Sequence, residues 1–282
     1  MAVSTYEQNF TTRAIGRLFW AALPLRSPYL FTLDRIHQHL RPRTYVEVGV
    51  SKGKSLALVL PGTLAIGVDP APRVCYPLRR GTRVFEQTSD DFFENHDPNA
   101  LLGGLPLDLG FIDGMHQFEF TLRDFMHLER FAHSDTTILV HDCYPLSKDT
   151  ATRERQTKQW SGDVWKLVVC LKEWRSDLKI DVVDVHPTGL GVITALDSSS
   201  RVLEEHYDEI VRHAAGLRYE FLEDQGKDNV LNRVPSDWLS VRNLLPNRPF
   251  RSDSVHLLTA QRAASTWLYK AVGSSSPPAP DA

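Results

Sequence analysis

The chain has 282 residues, of which 42% are hydrophobic and 24% charged, and its formal net charge is -3. This composition is ordinary for a globular protein with an ample core, and it predicts no general attraction to nucleic acid or to anionic membranes. The longest early apolar run, AIGRLFWAALPL, contains Arg17 and Pro24 and is too short to cross a bilayer. Three cysteines without CxxC spacing favour a reducing, cytoplasmic setting without a disulfide framework.

The first predicted elements are helices. Apolar positions near Ile15 and Ala22 indicate one helix, and Leu33, Ile36 and Leu40 indicate a second that ends before Pro42. From residue 44 the pattern changes to seven short apolar runs: TYVEVG, LAIGVD, TRVFEQ, DLGFID, TTILVHD, KIDVVDV and GLGVITALD. Most are separated by helix-length connections, which predicts an α/β fold with a Rossmann-like, doubly wound, mostly parallel sheet of seven strands. Only HPTG separates the last two runs, so we expect an antiparallel edge strand.

These elements divide the chain into four predicted parts. A helical segment over 1–42 precedes the sheet domain over 43–197, and a helical and irregular extension covers 198–270. In that extension a helix is expected from about Arg201 to Leu217, followed by an irregular segment around Trp238. The ending GSSSPPAPDA, within 271–282, has the composition of a disordered tail.

A glycine-rich loop, EVGVSKGKS, follows the first predicted strand, and an apolar helix is expected to begin near Ser55. Strand, glycine turn and helix form the place where doubly wound sheets bind nucleotide-like cofactors. The GxGxxG pattern of dinucleotide sites fits poorly, because three other residues separate Gly49 from Gly53. A phosphate-binding P-loop needs four residues there. It would use Lys54 and Ser55, with magnesium at Asp113.

A third interpretation uses two acidic residues in addition. Glu47 lies two residues before Gly49, and Asp69 ends the next strand in IGVDP. With these residues the segment 43–197 resembles class I methyltransferases, which use S-adenosyl-L-methionine. The resemblance implies that the glycine loop underlies the methionine part, that Asp69 holds the ribose, and that the segment after the third strand flanks adenine. The implied cofactor contacts are Glu47, Gly49, Gly53, Asp69, Ser89 and Asp90 in EQTSDDFF, and Asp113 at the end of the fourth predicted strand.

Polar side chains also follow the fourth and fifth predicted strands. FIDGMHQFEF contains Asp113 and His116, and TTILVHDCYP contains His141 and Asp142. Because neighbouring parallel strands open at the same edge of a sheet, these four side chains are expected to converge beside the reactive sulfonium of the cofactor. Polar groups at the edge of a core are costly unless they are used. Structural roles remain open: Asp142 as a turn cap, and His116 at the start of a helix.

The combination of IDGxH with a strand that ends in HD resembles a methyltransferase subgroup. It includes the macrocin and mycinamicin sugar O-methyltransferases and cephalosporin hydroxylase-like proteins. The resemblance implies that Asp113 and Asp142 bind magnesium and that His116 is the general base. Here His141 stands where the subgroup has an acid, which weakens a magnesium site or favours a softer divalent cation. His141 and Asp142 are therefore candidates both for metal binding and, without metal, for catalysis.

The sequence thus predicts S-adenosylmethionine-dependent O-methylation of a small-molecule hydroxyl, on a sugar or a secondary metabolite, with a divalent cation as an optional participant. Two alternatives remain: a P-loop-like nucleotide-binding protein, and a non-catalytic cofactor-binding partner subunit. No nucleic-acid or membrane partner is expected, and a homo-oligomer is an open option. The polar loop over 146–160 is interpreted as a substrate flap or a solvated charge run, and Asp163 is expected to cap the helix that follows it.

Overall fold

The computed structural model describes residues 3–4 and 27–247. Within them a nine-stranded sheet has the order β1-β4-β3-β2-β5-β6-β8-β7-β9. The strands are β1 Val3–Ser4, β2 Thr44–Val48, β3 Leu64–Asp69, β4 Thr82–Glu86, β5 Leu107–Ile112, β6 Ala132–His141, β7 Lys179–Val183, β8 Leu190–Thr194 and β9 Arg233–Val234.

The seven predicted strands are present as β2 to β8. Strands β4, β3, β2, β5 and β6 are parallel to one another, whereas β8 is antiparallel to both β6 and β7. The structure therefore confirms the Rossmann-like, mostly parallel sheet with its antiparallel side. Strands β1 and β9 have two residues each and add to the two ends of the sheet. Two residues are too few to leave an alternating pattern in a sequence.

Ten helices and two 3₁₀ turns surround the sheet in the described part of the chain, and none of these helices has the length and apolar character needed to cross a membrane. The helices are α1 Pro28–Leu40, α2 Ser89–Asn95, α3 Pro98–Leu101, α4 Phe118–Glu129, α5 Trp165–Trp174, α6 Val202–Glu205, α7 Tyr207–Gly216, α8 Glu220–Gln225, α9 Lys227–Val230 and α10 Trp238–Leu244. The turns are Leu56–Leu58 and Lys148–Ala151.

The central strands are buried on both faces, which explains their nearly continuous apolar sequences. Adjacent residues of a strand point to opposite faces, so Tyr45 joins a core cluster with Ile36 of α1, whereas Val46 joins a second cluster with Phe125 of α4. All five residues of β2 are buried. The sheet is therefore enclosed between two layers of helices, and its open positions lie at the ends of the strands.

The prediction of a helix that begins near Ser55 is wrong, because the structure has only the 3₁₀ turn Leu56–Leu58 there. Val59 is already outside the helical region, with φ of -51° and ψ of 134°. Leu60 precedes Pro61, and a residue before proline disfavours the helical conformation. The glycine loop is therefore not followed by a helix N-terminus of useful length.

The C-terminal extension also departs from the prediction. The expected helix from Arg201 to Leu217 is interrupted at His206, where φ is -108° and ψ is 13°, and so divides into α6 and α7. The segment expected to be irregular contains the short helices α8, α9 and α10. Helices of one or two turns leave too little apolar periodicity to be predicted. The helix predicted near Ile15–Ala22 and the tail over 271–282 lie outside the described residues.

Candidate active site

The register of the sheet brings the predicted site residues to one edge. Val48 pairs with both Val68 and Ile112, and Ile112 pairs with Val140. The residues that follow these strands therefore leave the sheet at the same level, and a cavity of about 880 Å³ opens there. Its walls include most of the predicted site residues: Gly49, Asp69, Ser89, Asp90, Asp113, His116, His141 and Asp142.

Gly49 allows two chain segments to approach closely at the floor of this cavity. Its φ is +90°, and a Cβ atom there would lie 2.0 Å from the carbonyl oxygen of Asp113. Its backbone N–H donates to the carbonyl oxygen of Val68 at 2.9 Å. Both the conformation and the contact require glycine. Gly49 therefore sets how near the end of β2 lies to the end of β5.

Glu47 and Gly53 lie behind the cavity and do not line it. Glu47 is 0% exposed, and its carboxylate oxygens accept hydrogen bonds from the hydroxyls of Tyr45 at 2.6 Å and Ser55 at 2.7 Å. Burial raises the pKa of Glu47 to about 8. Gly53 has φ of +76° and closes a turn by donating to the carbonyl oxygen of Val50 at 2.7 Å. Both residues shape the glycine loop from within.

Asp69 holds that loop from the neighbouring strand. Its Oδ2 accepts hydrogen bonds from the backbone N–H groups of Val50 at 2.9 Å and Ser51 at 2.7 Å, and its Oδ1 accepts from Ala71 at 2.8 Å. The glycine loop therefore presents its N–H groups to a carboxylate of the protein itself. Asp69 still lines the cavity, as predicted for an acid at the end of this strand.

Ser89 and Asp90 begin α2 and lie at the β4 side of the cavity. The Asp90 carboxylate is engaged by Arg123, whose Nε and Nη2 donate to Asp90 Oδ1 at 2.9 Å and Oδ2 at 2.8 Å. Arg123 and, more weakly, His127 keep the pKa of Asp90 below its ordinary value. The carboxylate of Asp90 is therefore committed to an ion pair. Ser89 instead contacts Asp124 of α4, a cavity residue that the sequence did not predict.

Asp113, His116, His141 and Asp142 form a compact quartet. His141 Nδ1 lies 3.2 Å from Asp113 Oδ1 and 3.1 Å from Asp142 Oδ2. His116 Nδ1 lies 3.1 Å from Asp142 Oδ2, and its Nε2 lies 3.4 Å from Asp113 Oδ1. Each imidazole therefore contacts both carboxylates. The four side chains therefore lie together at this edge of the sheet, as the strand pattern predicts.

Attraction between opposite charges in the quartet raises the pKa values of its two histidines and lowers the pKa of Asp113. Burial alone lowers the pKa of a histidine, but Asp142 and Asp113 outweigh it and raise the pKa of His141 well above the ordinary value. The same two carboxylates raise the pKa of His116 against its burial. Burial raises the pKa of Asp113, but the two histidines outweigh it and bring the net pKa down. The quartet therefore favours protonated histidines beside ionised carboxylates.

Two residues of the quartet also have a strained backbone. His116 has φ of +57° and Asp142 has φ of +64°, in the left-handed region that non-glycine residues seldom adopt. Such strain costs about 1–3 kcal/mol for each residue and persists where the surroundings impose it, often at functional sites. Two strained residues in one four-residue cluster favour a functional role for His116 and Asp142 over the structural roles that the sequence left open.

Three residues that the sequence did not single out support the quartet. Tyr29 of α1 packs on the ring of His141, with centroids 4.5 Å apart. Trp160 stacks on His116 at 5.1 Å, and its carbonyl oxygen lies 3.2 Å from His116 Nδ1. The hydroxyl of Thr188 donates to Asp142 Oδ1. All three line the cavity. They come from segments distant in sequence, so no local motif could have indicated them.

The polar segment over 146–160 is part of the cavity wall, through Arg155, Lys158 and Trp160. This placement favours the flap interpretation over a solvated charge run. The prediction that Asp163 caps the helix after this segment, α5, is wrong. Its Oδ1 accepts a hydrogen bond at 2.7 Å from the N–H of Phe118, the first residue of α4. Asp163 therefore caps α4, the helix after His116, and fastens the end of the flap to the turn that carries His116.

The donor set of the quartet fits a divalent cation. One ligand atom each of Asp113, His141 and Asp142 lie within 4.8 Å of one another. Two carboxylate oxygens and an imidazole nitrogen suit manganese, iron or zinc better than magnesium, which prefers oxygen ligands. A cation site that includes His141 would therefore have a different metal preference from the all-oxygen site that the sequence resemblance implies.

One family of known proteins matches the central part of this chain. Residues 46–143 match the protein family described as Methyltransferase domain. This segment runs from β2 to the residue after Asp142, so it contains the glycine loop, Asp69 and the quartet. Over these residues the chain is therefore similar to methyltransferase domains, in agreement with the resemblance that its sequence predicts. The sequence matches none of the curated proteins with which it was compared.

Three solved structures with a similar fold illustrate the likeness. The cofactor-bound protein Rv0187 from MTB is 14% identical, with 68% of this chain and 93% of that chain covered and a TM-score of 0.47. The O-methyltransferase of Bacillus cereus, solved with SAH, is 13% identical over 67% and 92%, with a TM-score of 0.46. The O-methyltransferase TomG of Streptomyces achromogenes, involved in tomaymycin synthesis, is 12% identical over 68% and 92%, with a TM-score of 0.45.

Proposed function

We propose that this protein transfers a methyl group from S-adenosyl-L-methionine to a hydroxyl oxygen of a small molecule. One observation carries the proposal: a single cavity is lined both by the glycine loop with Asp69 and by the His–Asp quartet. The first set lies where doubly wound sheets hold a nucleoside, at the carboxyl ends of their strands. The second set lies beside it and has the acid–base groups that a hydroxyl acceptor needs.

The cofactor side of the proposal uses residues 43–197 as the binding domain. Gly49, Asp69 and Ser89 line the cavity, and we assign them the methionine, ribose and base ends of the cofactor. Glu47 and Gly53 contribute indirectly, because their contacts fix the loop that carries Gly49. Asp90 contributes through its ion pair with Arg123, which positions the start of α2.

The cavity volume of about 880 Å³ is near the upper end of ordinary ligand pockets, which run to about 1,000 Å³. A cofactor and a small acceptor therefore fit side by side. Methyl transfer depends strongly on holding the acceptor oxygen in line with the methyl group. An alcohol is a weak nucleophile at neutral pH, so His116 is assigned as the general base that removes its proton. Trp160 and Asp142 fix the His116 ring for this role.

A divalent cation is an optional part of this proposal. Asp113, His141 and Asp142 would hold it. When bound, the cation supplies Lewis-acid chemistry that lowers the pKa of a coordinated hydroxyl. The chain's own residues then keep their tasks: His116 accepts the proton, and Thr188 keeps Asp142 oriented through its hydrogen bond.

The two alternative functions are not supported. In a P-loop the backbone N–H groups face phosphate, but here the N–H groups of Val50 and Ser51 donate to the Asp69 carboxylate, which would repel phosphate. The hydroxyl of Ser55 is bonded to Glu47 and is not presented to a metal. A non-catalytic partner subunit gives no reason for two strained residues in a quartet of acid–base groups.

Calorimetry tests the proposal directly. S-adenosylhomocysteine and ATP are titrated into the protein, each with and without manganese. We expect S-adenosylhomocysteine to bind and ATP not to bind, and we expect Asp69→Ala to abolish binding because both the loop and the sugar contact depend on that carboxylate. Asp135→Ala, an exposed aspartate in the first half of β6, is the matched control. Binding of ATP alone would refute the proposal, and labelled methyl transfer to a panel of hydroxyl compounds would then be pointless.

A further inference from the structure

Four basic side chains of the flap, residues 146–160, fall into two pairs with different surroundings. Lys148 and Arg153 form ion pairs with glutamates of α8 and α4, and neither lines the cavity. Arg155 and Lys158 do line the cavity. Neither of these two has an ion-pair partner among the described residues. The flap therefore brings two positive charges without a counter-charge to the cavity wall.

Arg155 is oriented by its own segment of the flap. Its Nε donates to the carbonyl oxygen of Thr157 at 3.3 Å, and its Nη2 donates to that of Lys158 at 2.9 Å. Its Nη1 makes no such bond within the described part of the chain, so its N–H groups are available to a ligand. Guanidinium N–H groups form strong, charge-assisted hydrogen bonds with carboxylate and phosphate oxygens. Arg155 can therefore bind an anion without giving up the contacts that hold it.

The chain keeps these two cations close to the quartet. Trp160 stacks on His116 with ring centroids 5.1 Å apart and an interplanar angle of 12°. Lys158 lies two residues before Trp160, so the Cα atoms of these two residues are at most about 7 Å apart. An acceptor whose hydroxyl lies at His116 would therefore reach the flap cations with a group only a few bonds away.

The carboxylates that line the cavity do not neutralise the flap. Asp113 and Asp142 contact the two imidazoles of the quartet, Asp69 accepts hydrogen bonds from the glycine loop, and Asp90 is paired with Arg123. None of these four carboxylates forms an ion pair with a basic residue of the flap. A cleft wall that has charge of one sign raises the local concentration of ligands of the opposite sign. The flap side of the cavity therefore favours an anion.

We propose that the methyl acceptor carries a negatively charged group, a carboxylate or a phosphate ester, and that Arg155 and Lys158 are the specificity-determining residues that bind it. This inference rests on the proposed function, because it takes the cavity to hold a hydroxyl acceptor at His116. Met115, which precedes His116 in the chain, lines the cavity and is 55% exposed. Its side chain offers apolar surface to the body of the acceptor between the hydroxyl and the anionic group.

The test uses two sets of acceptors whose members differ in charge. One set is 3-hydroxybenzoate, 3-hydroxybenzamide and 3-hydroxybenzylamine, and the other is glucose 6-phosphate, glucose and 6-amino-6-deoxyglucose. Transfer of a labelled methyl group is measured as kcat/KM at about pH 7.5, where the carboxylate, the phosphate and both amines are charged. In at least one set we expect the wild type to prefer the anion over the neutral compound by about tenfold or more. The set that shows this preference distinguishes a carboxylate from a phosphate.

Reversal of one flap charge should transfer the preference. Lys158→Glu should lower kcat/KM for the preferred anion by about tenfold and raise it for the corresponding amine, a gain that a damaged fold cannot imitate. Arg155→Gln and Lys158→Gln should each lower the ratio of anion to neutral compound by about threefold or more. An increase in ionic strength from about 0.05 M to about 0.5 M should reduce the ratio in the wild type, because salt screens exposed charges.

Two control variants separate the flap from the rest of the molecule. Lys54→Gln removes a cation that also lines the cavity but belongs to the glycine loop. Lys179→Gln removes an exposed cation at the start of β7, which does not line the cavity. Both should leave the ratio of anion to neutral compound within about twofold of the wild-type value. An effect of Lys54→Gln as large as that of Lys158→Gln would overturn the assignment to the flap.

The outcomes separate this inference from the function on which it rests. If the wild type does not bind S-adenosylhomocysteine, the methyltransferase proposal itself fails. If it binds S-adenosylhomocysteine but methylates no anionic compound, or methylates neutral compounds or amines equally well, only the acceptor assignment is overturned. The same holds if the substitutions at Arg155 and Lys158 leave the ratio as it was.

Discussion

Single residues of the quartet act through mutual contacts, so the role of each depends on its neighbours. His116 touches Asp113, Asp142 and the carbonyl oxygen of Trp160. Its strained backbone and stacked ring leave it little freedom to move. None of these contacts is to the glycine loop or to Asp69, so we expect that His116 can be replaced without loss of the proposed cofactor site.

His116→Gln is therefore expected to lower the rate of methyl transfer by about 10²-fold or more, because general base catalysis contributes at that level. Glutamine keeps a polar side chain but cannot take up the proton. The measurement is single-turnover transfer of a labelled methyl group to an acceptor found in the hydroxyl panel, alongside the affinity for S-adenosylhomocysteine. His213→Gln, in a surface pair with Glu173, is the control and should change neither quantity. An unchanged rate in His116→Gln would remove His116 from the catalytic assignment.

Glu47 leads to a prediction about stability. Its pKa is about 8 in the folded chain because of burial, whereas the ordinary value is 4.5. The folded state therefore keeps a proton that the unfolded state has lost between these pH values, and the free energy of unfolding falls as pH rises through that window. The slope from this group is at most about 1.4 kcal/mol for each pH unit. Above about pH 8 the contribution stays constant.

Glu47→Gln removes this titration, so its free energy of unfolding should decline less steeply between about pH 5 and pH 8 than that of the wild type. Denaturant unfolding at several pH values measures the two slopes. Glu205→Gln, at an exposed glutamate of α6, is the matched control and should keep the wild-type slope. Parallel curves for Glu47→Gln and the wild type would show that burial of Glu47 does not govern this part of the pH dependence.

Individual elements differ in how well the sequence predicts them. The strands β2 to β8 were predictable because buried parallel strands read as short apolar runs, and the turn HPTG determined the antiparallel pair. The helix expected after Ser55 was not formed, because Pro61 shortens the space available to it. The cap provided by Asp163 joins residues 45 positions apart, and only the folded chain brings such residues together.

The flap and the turn that carries His116 meet at Gly162. Its φ is +60°, and a Cβ there would lie 1.8 Å from the carbonyl oxygen of His116. Gly162→Ala is therefore expected to lower the free energy of unfolding by about 3 kcal/mol, or to displace the flap instead, because both strain and overlap must be relieved. Denaturant unfolding and the rate of trypsin cleavage at Arg153 and Arg155 report these two responses.

Gly104→Ala separates the two causes. Gly104 also has a positive φ, of +79°, but a Cβ there would meet nothing within 4 Å. This control should cost about 1 kcal/mol from backbone strain alone and should leave trypsin cleavage of the flap unchanged. Equal effects of the two substitutions would mean that the close approach of Gly162 to His116 is unimportant.

For the whole molecule, the candidate site was predictable only in part, and the division has a physical reason. Residues that end neighbouring parallel strands must converge, so Asp69, Asp113 and His141 could be placed from the strand pattern. The opposite wall comes from α1, the flap and the turn before β8, through Tyr29, Trp160 and Thr188. These contacts depend on how distant segments pack, and no spacing in the sequence specifies them.

Metal binding would couple the quartet to the stability of the whole chain. A cation that binds only the folded state stabilises it by about 2.7 kcal/mol at a concentration of 100 times its Kd. For a chain of this size that corresponds to a rise in Tm of about 5 °C or more. Because His141 supplies a nitrogen ligand, manganese or zinc should raise Tm more than magnesium does at equal concentration.

His141→Asp makes the donor set all-oxygen and should reduce this preference, so that the Tm shifts with zinc and with magnesium differ less in the variant than in the wild type. Loss of the ring that packs on Tyr29 lowers the Tm of the variant without metal. Each shift is therefore measured against the same protein with EDTA. Asp142→Ala, which removes a carboxylate ligand, should abolish the shift with every cation. The contrary result is a difference between the zinc and magnesium Tm shifts that is the same in His141→Asp as in the wild type. That result would mean that the cation is held elsewhere and that the quartet works as an acid–base group alone.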